Sequence, residues 1–281
     1  MLLASQINRI ANMLLAARQG GHVIEPPSLS HRLEVDDGYA IAHAIYARRI
    51  ADGESLLGRK IGFSNRQMLP RYGRSGALPG PLWAMMYDST VKFARDNQYA
   101  LSLSAYAQPR VEPEIVFRLG KTPAAGCTVY ELMDCIDWIA HAFEIVVSPY
   151  PRWDFDLVDA IAGFGLHGAL IVGEPHTLSA TSKRNLGEVL RNASVSISCI
   201  TQGQAQVRGV GFGAFVMDSP VLALWDLHQK LQAQSRFPQL SEGELITTGS
   251  WTDAHPVNAG ETWCSAFSGL QLNGLRVHFA A

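Results

Sequence analysis

QPRVEPEIVFRLG, residues 108 to 120, is the stretch on which the fold turns. Val111, Ile115 and Phe117 mark a mostly buried β-strand, and Pro113 points to a sheet edge or an irregular start. Residues two apart on a strand share a face, so Glu112 and Glu114 project the same way. Two carboxylates side by side in a half-buried strand repel each other and lose hydration. That is costly unless a cation or a shared proton compensates.

Working outward, AHAFEIVVSP (residues 140 to 149) sets Glu144 in a second apolar, strand-like run, across a helix expected over 130–141. If the two strands are neighbours, three carboxylates converge. An all-oxygen set of this kind suits a hard divalent cation such as Mg²⁺, with water completing the shell. The residues alone leave a second reading open, in which each glutamate pairs with a nearby arginine, Arg110, Arg118 or Arg152.

The bulk numbers bound the rest. The chain has 281 residues, 47% hydrophobic and 17% charged, enough apolar content for a sizeable core and too much for disorder. The formal net charge is -2 and there is no Lys/Arg run, so neither a nucleic-acid nor a membrane partner is expected. Cys127, Cys135, Cys199 and Cys264 form no CxxC pair and read as free thiols in a reducing compartment. Near the N-terminus, Leu3, Ile7, Ile10 and Leu14 recur at helical spacing up to Gly20-Gly21. The spacing predicts an amphipathic helix rather than a signal peptide or membrane span, and hence a cytoplasmic protein.

A second helix is predicted through residues 34–53, stopped at Gly53, followed by a strand in SLLGRKIGFS and a Gly/Pro-rich loop over 66–90. Further strands are expected at 111–119, 143–148, 167–173, 194–201, 244–248, 261–268 and 275–279, and a helix at 219–235. Strands without regular alternation with helices argue against a doubly wound sheet.

GRKIGFSN, GPLWAMM, QPRVEPEIVF, AFEIVVS and LITTGSW with PVNAGE resemble, in that order, the fumarylacetoacetate hydrolase superfamily. The likeness is nearest to its branch of 2-hydroxypenta-2,4-dienoate hydratases and 4-oxalocrotonate decarboxylases. It implies an α+β fold: a mixed β-roll core, with a helical N-terminal or lid portion over residues 1–87 and a catalytic roll over 88–281. It also implies a homo-oligomer, a small 2-oxo acid substrate, and Mg²⁺ or Mn²⁺ held by Glu112, Glu114 and Glu144. The family's lysine falls on Lys60, and its substrate-binding turn on Thr248 and Gly249.

Two departures stand out. Leu78 replaces the aspartate that hydratases of the branch carry ahead of the metal strand, where some decarboxylases have an apolar residue, and Gly163 and Phe164 replace the Asp and Asn of an "ADN" triplet that these decarboxylases keep as well. Asp159, four residues earlier, is a candidate substitute. His31 and Glu34 stand three apart and share a face if their segment is a helical turn, which would make His31 a base for activating water. Otherwise Ser30 caps a helix with Glu34 in its first turn.

Hydrolytic members of the superfamily that the chain resembles use such a His–Glu pair, so on the dyad reading the resemblance implies a hydrolase that splits an acylpyruvate of the maleylpyruvate or fumarylpyruvate type. The alternatives are a dienoate hydratase, an oxalocrotonate decarboxylase, or a silent partner subunit. His167 is a second candidate base or substrate contact, though a core role suits it as well. Arg71, with Arg74, would grip a distal carboxylate or else lie in solvent.

Overall fold

The computed structural model describes residues 1–65 and 81–281. Among them the helices are α1 Ala4–Gly20, α2 Val35–Ala51, α3 Val129–Asp134, α4 Leu157–Ala162, α5 Ala180–Arg184, α6 Leu186–Asn192 and α7 Pro220–Gln232. The strands are β1 Leu56–Gly62, β2 Leu82–Tyr87, β3 Val91–Phe93, β4 Gln98–Ser102, β5 Arg110–Leu119, β6 Ile136–Val146 and β7 His167–Val172, then β8 His176–Thr177, β9 Ser194–Thr201, β10 Gln204–Phe212, β11 Leu245–Thr247, β12 His255–Pro256, β13 Thr262–Ser268 and β14 Arg276–Ala280.

They build two sheets. The larger runs β2-β1-β11-β5-β6-β7-β3, with β12 on β5 and β8 on β6; the smaller runs β10-β9-β13-β14-β4. Alternation along β5 and β6 gives the large sheet two different faces. Val111, Ile115, Phe117, Phe143 and Ile145 share one core with Val195, Ile197 and Trp263 of the small sheet and Leu224 of α7. From Trp138 on, the even-numbered residues of β6 and those of β5 point away from it, and Val116, Ala140 and Ala142 pack there with Leu170. A third cluster joins α1 (Leu14), α2 (Ile41, Ile45) and α4 (Ile161) to Leu82 and Leu166. This is the α+β mixed roll with a helical N-terminal portion. β1 and β2, although they precede residue 88, hydrogen-bond into the same sheet as β5 and β6.

α1 ends where its sequence says it should: Gly21 has φ 60°, and the next amide, His22 N–H, donates to Ala17 O at 3.1 Å. Three expectations change. β5 is a central strand, flanked by β6 on one side and by β11 and β12 on the other. Pro113 is tolerated there because its carbonyl accepts from Trp251 N at 3.1 Å, so its missing N–H faces the gap where the chain leaves the sheet between β11 and β12. The helix expected over 130–141 covers only Val129–Asp134, capped by Thr128; from Ile136 on, ladder pairing with β5 prevails over the helical period. β2 lies inside the stretch expected as a loop. Its fully buried run LWAMMY pairs antiparallel with β1, Lys60 opposite Ala84. No helix among the described residues is long and apolar enough to cross a membrane.

Candidate metal and substrate site

The site follows from register. Glu112 on β5 lies directly opposite Glu144 on β6, so both project from the same face, with Glu114 two residues along. Lys60 on β1 aligns with Thr247 on β11, and Thr247 aligns with Val116 on β5, which carries the lysine to that face as well. One oxygen from each of the three carboxylates falls within 4.8 Å of the others. Lys60 Nζ sits 2.9 Å from Glu144 Oε2. Glu114, Glu144 and Lys60 are buried; Glu112 is half-buried.

Such crowding distorts the ionisation of every member. Burial, then the charge of Glu144, pushes Glu114 well above the usual carboxylate range. Burial lifts Glu112 to about 7, with Glu144 adding to the rise and Lys60 opposing it. Burial would raise Glu144 too, but Lys60 and the His167 hydrogen bond outweigh it and hold this carboxyl at about 2. Burial would lower Lys60; the three carboxylates reverse that and keep it an ammonium. The charge that pairs with Lys60 thus sits on Glu144, while burial works against charge on Glu112 and Glu114.

A divalent cation fits this set. Glu114 Oε1 is buried with no hydrogen-bond donor, a cost of about 1–3 kcal/mol that a cation would remove. The donors are all oxygen, suited to Mg²⁺ or Mn²⁺. The arginine pairing does not form: Arg118 bonds Asp137 at 2.7 Å, Arg110 stacks over Trp153 at 4.2 Å, and among the described residues none of Arg110, Arg118 or Arg152 ion-pairs with the three glutamates.

A cavity opens beside the cluster. Polar groups of Lys60, Ser64, Asn65, Gly249, Ser250 and Thr252 line it with Glu112 and Glu114, while Phe63, Val146, Trp153 and Leu166 give it an apolar side. Gly249 donates its N–H to Glu114 Oε2 at 2.9 Å. Its φ of +100°, with the Ser64 hydroxyl where a Cβ would stand, favours glycine. Thr248 does not line the cavity; its hydroxyl donates to Ile115 O at 3.3 Å, which ties β11 to β5.

His167 also stays out of the cavity, with Nδ1 2.7 Å from Glu144 Oε1 and Nε2 3.0 Å from Thr90 Oγ1. His31 and Glu34 are not brought together. No hydrogen bond joins them, Glu34 precedes α2 as its N-cap, and neither is among the described residues lining the cavity. Asp159 is fully buried, its carboxylate accepting from Ser28 N, Ser28 Oγ and Asp156 N. Arg71, Arg74 and Leu78 lie outside the described residues.

The segment that replaces the "ADN" triplet is unusual. Phe164, Gly165 and Leu166 all have positive φ, 62°, 60° and 63°. Arg18 of α1 holds this turn, donating to His167 O and to Gly168 O and stacking on Phe164. Sequence reasoning missed Ser64, Asn65, Ser250, Thr252 and Trp153. Ser64 and Asn65 stood in a quoted motif, directly after the lysine strand, and were passed over. Nothing local marks Trp153.

No family model matches the chain. A 4-oxalocrotonate decarboxylase from a Pseudomonas species is 28% identical over 255 residues, 91% of each chain. A 2-keto-4-pentenoate hydratase from Paraburkholderia xenovorans is 27% identical, over 94% of this chain and 92% of its own. Among solved structures, a 4-oxalocrotonate decarboxylase from Pseudomonas putida, complexed with magnesium and adipate, superposes with a TM-score of 0.85 at 22% identity, covering 99% of both chains. A fumarylpyruvate hydrolase from Pseudomonas aeruginosa, in complex with Mn²⁺ and pyruvate, gives 0.55 at 18% identity, over 80% of this chain and 89% of its own. The chain shares its fold with these solved structures. Its sequence likeness lies with hydratases and decarboxylases, and these relatives back lyase chemistry better than acylpyruvate hydrolysis.

Proposed function

We propose that this chain is a lyase dependent on Mg²⁺ or Mn²⁺ that acts on a 2-oxo acid, or its 2-hydroxydienoate form, in the breakdown of aromatic compounds. The observation that carries the reading is the cluster of Glu112, Glu114 and Glu144 on one sheet face with Lys60 against it, at the wall of a cavity. The three carboxylates would hold the cation. When bound, it supplies Lewis-acid polarisation of the substrate's carboxylate and 2-oxo oxygens. Lys60, kept cationic, attracts the acid end of the substrate and steadies negative charge that develops next to it. Gly249 N–H and Lys60 fix two of the carboxylates, and Phe63, Val146, Trp153 and Leu166 shield the carbon chain from water.

Decarboxylation is the first choice. Loss of CO₂ from a carbon conjugated to the 2-oxo group needs an electron sink and a shielded site, not a base to activate water. The titratable groups among the described lining are Lys60, Glu112 and Glu114 alone. Hydration is the second reading, favoured by the hydratase likeness over 94% of the chain. It requires a proton-transfer group in place of the aspartate that Leu78 replaces, whereas the change at Gly163 and Phe164 bears on both readings.

The test is product analysis with Mn²⁺. CO₂ from 4-oxalocrotonate supports decarboxylation, and 4-hydroxy-2-oxovalerate from 2-hydroxypenta-2,4-dienoate supports hydration. Metal-dependent pyruvate from maleylpyruvate, with neither of the others, would overturn the lyase reading.

A further inference from the structure

His167 opens β7, the strand that pairs with β6, and its ring is buried. Its two contacts settle which nitrogen carries the proton. The Glu144 oxygen only accepts, so Nδ1 is the donor. Nε2 of the neutral ring then accepts from the Thr90 hydroxyl at 3.0 Å. That hydroxyl has a second acceptor, Tyr87 O at 3.1 Å, but the same carbonyl already receives the Thr90 amide at 2.9 Å, so turning to Nε2 leaves no acceptor unpaired. Both ring nitrogens are therefore used inside the fold, and neither is left for substrate.

Glu144 is gripped at both ends. Oε1 takes the His167 N–H, and Oε2 lies 2.9 Å from Lys60 Nζ. We propose that His167, its tautomer set by Thr90, is a positioning residue that fixes Glu144 through Oε1, so that the carboxylate offers Oε2 alone to a divalent cation. This rests on reading the three glutamates as a cation site. Without the His167 donor, the carboxylate is free to rotate and to close on Lys60, at the expense of the cation. Partners that orient a ligand in this way typically contribute about 10–100-fold in metal affinity.

The experiment is calorimetric titration of the metal-stripped, full-length protein with Mn²⁺. In His167→Phe, which keeps a ring and removes the donor, the Kd is expected to rise about 10–100-fold. In His167→Asn, whose amide N–H stands near the place of Nδ1, it is expected to stay within a few-fold of the parent. Thr90→Val removes the group that sets the tautomer and is expected to weaken Mn²⁺ several-fold. If His167→Phe does not fold, Thr90→Val carries the test. A folded His167→Phe or Thr90→Val with the parent's Kd overturns the positioning role and leaves the cation site standing. His167→Asn binding as weakly as a folded His167→Phe likewise overturns it. A parent chain that binds no Mn²⁺ overturns both.

Discussion

At the scale of single residues, the site is a problem in charge. Among the described residues, Glu112, Glu114, Glu144 and Lys60 crowd one face of one sheet, and of their contacts with one another the Lys60–Glu144 contact is the direct ion pair. Lys60→Met should therefore do two things. It removes the ammonium expected to steady developing negative charge, so kcat should fall by about 10²–10³. It also leaves Glu144 buried beside two other carboxyls, so metal-free thermal stability should drop. A variant with normal kcat would remove Lys60 from the chemistry.

Asp159 offers the opposite lesson. Its carboxylate accepts three hydrogen bonds, from Ser28 and Asp156, so it reads as an anchor and not as a replacement acid. Asp159→Asn should lower stability by about 1–3 kcal/mol while kcat changes little. A large kcat loss with unchanged stability would reverse that assignment.

At the scale of elements, the turn after β11 does what no side chain there does alone. Gly249 has φ +100° and packs its α-carbon against Ser64, so its amide can aim at Glu114. Gly249→Ala should be strained by about 1–3 kcal/mol. For a chain of this size that corresponds to a drop in Tm of roughly 2–10 °C. It should also weaken Mn²⁺, since the amide no longer orients Glu114. An unshifted melting curve would show that the turn relaxes freely. β5 and β6 divide their labour by alternation: odd residues build the core between the sheets, and even residues carry the carboxylates. A one-residue slip of β5 alone would turn Glu112 and Glu114 into the core beside Phe143 and Ile145 and expel Phe117 from it.

At the scale of the whole molecule, the proposed cation would compete with protons for one site. Glu112 has its pKa raised from 4.5 to about 7. A raised carboxylate contributes stability fully present below the unfolded pKa of 4.5 and lost as pH rises through about 7. The cation binds the deprotonated form, so the rise in Tm on adding Mn²⁺ should grow between about pH 5 and pH 8. A pH-independent shift in melting scans across that range would mean that Glu112 does not take part. Glu144, lowered from 4.5 to about 2, has the opposite sign: its stabilisation is present above 4.5 and fades only in strong acid.

Much of this was legible in the sequence, and the reasons are physical. Apolar runs with β-branched residues fixed most strands, and glycine punctuation fixed the end of α1. Charge inside an apolar run singled out Glu112, Glu114 and Glu144, because burying carboxylates without a reason is too costly to be common. What the sequence could not convey was pairing. That Glu112 faces Glu144, and that Lys60 reaches the same face through β11, depends on registers between strands up to about two hundred residues apart in the chain. The same non-locality turned Pro113 from an edge marker into a residue beside a gap in the ladder, and residues 136–141 from helix into strand. It also separated His31 from Glu34: three residues of spacing bring side chains together only inside a helix, and α2 begins after both. By itself the sequence determined the α+β class, the acid cluster and the lysine, since composition and local period carry the cost of burial. Only the tertiary structure decided that His167 serves Glu144 and that Asp159 serves Ser28. A hydrogen bond is settled by which groups the fold leaves within 3 Å, and local sequence holds no record of that.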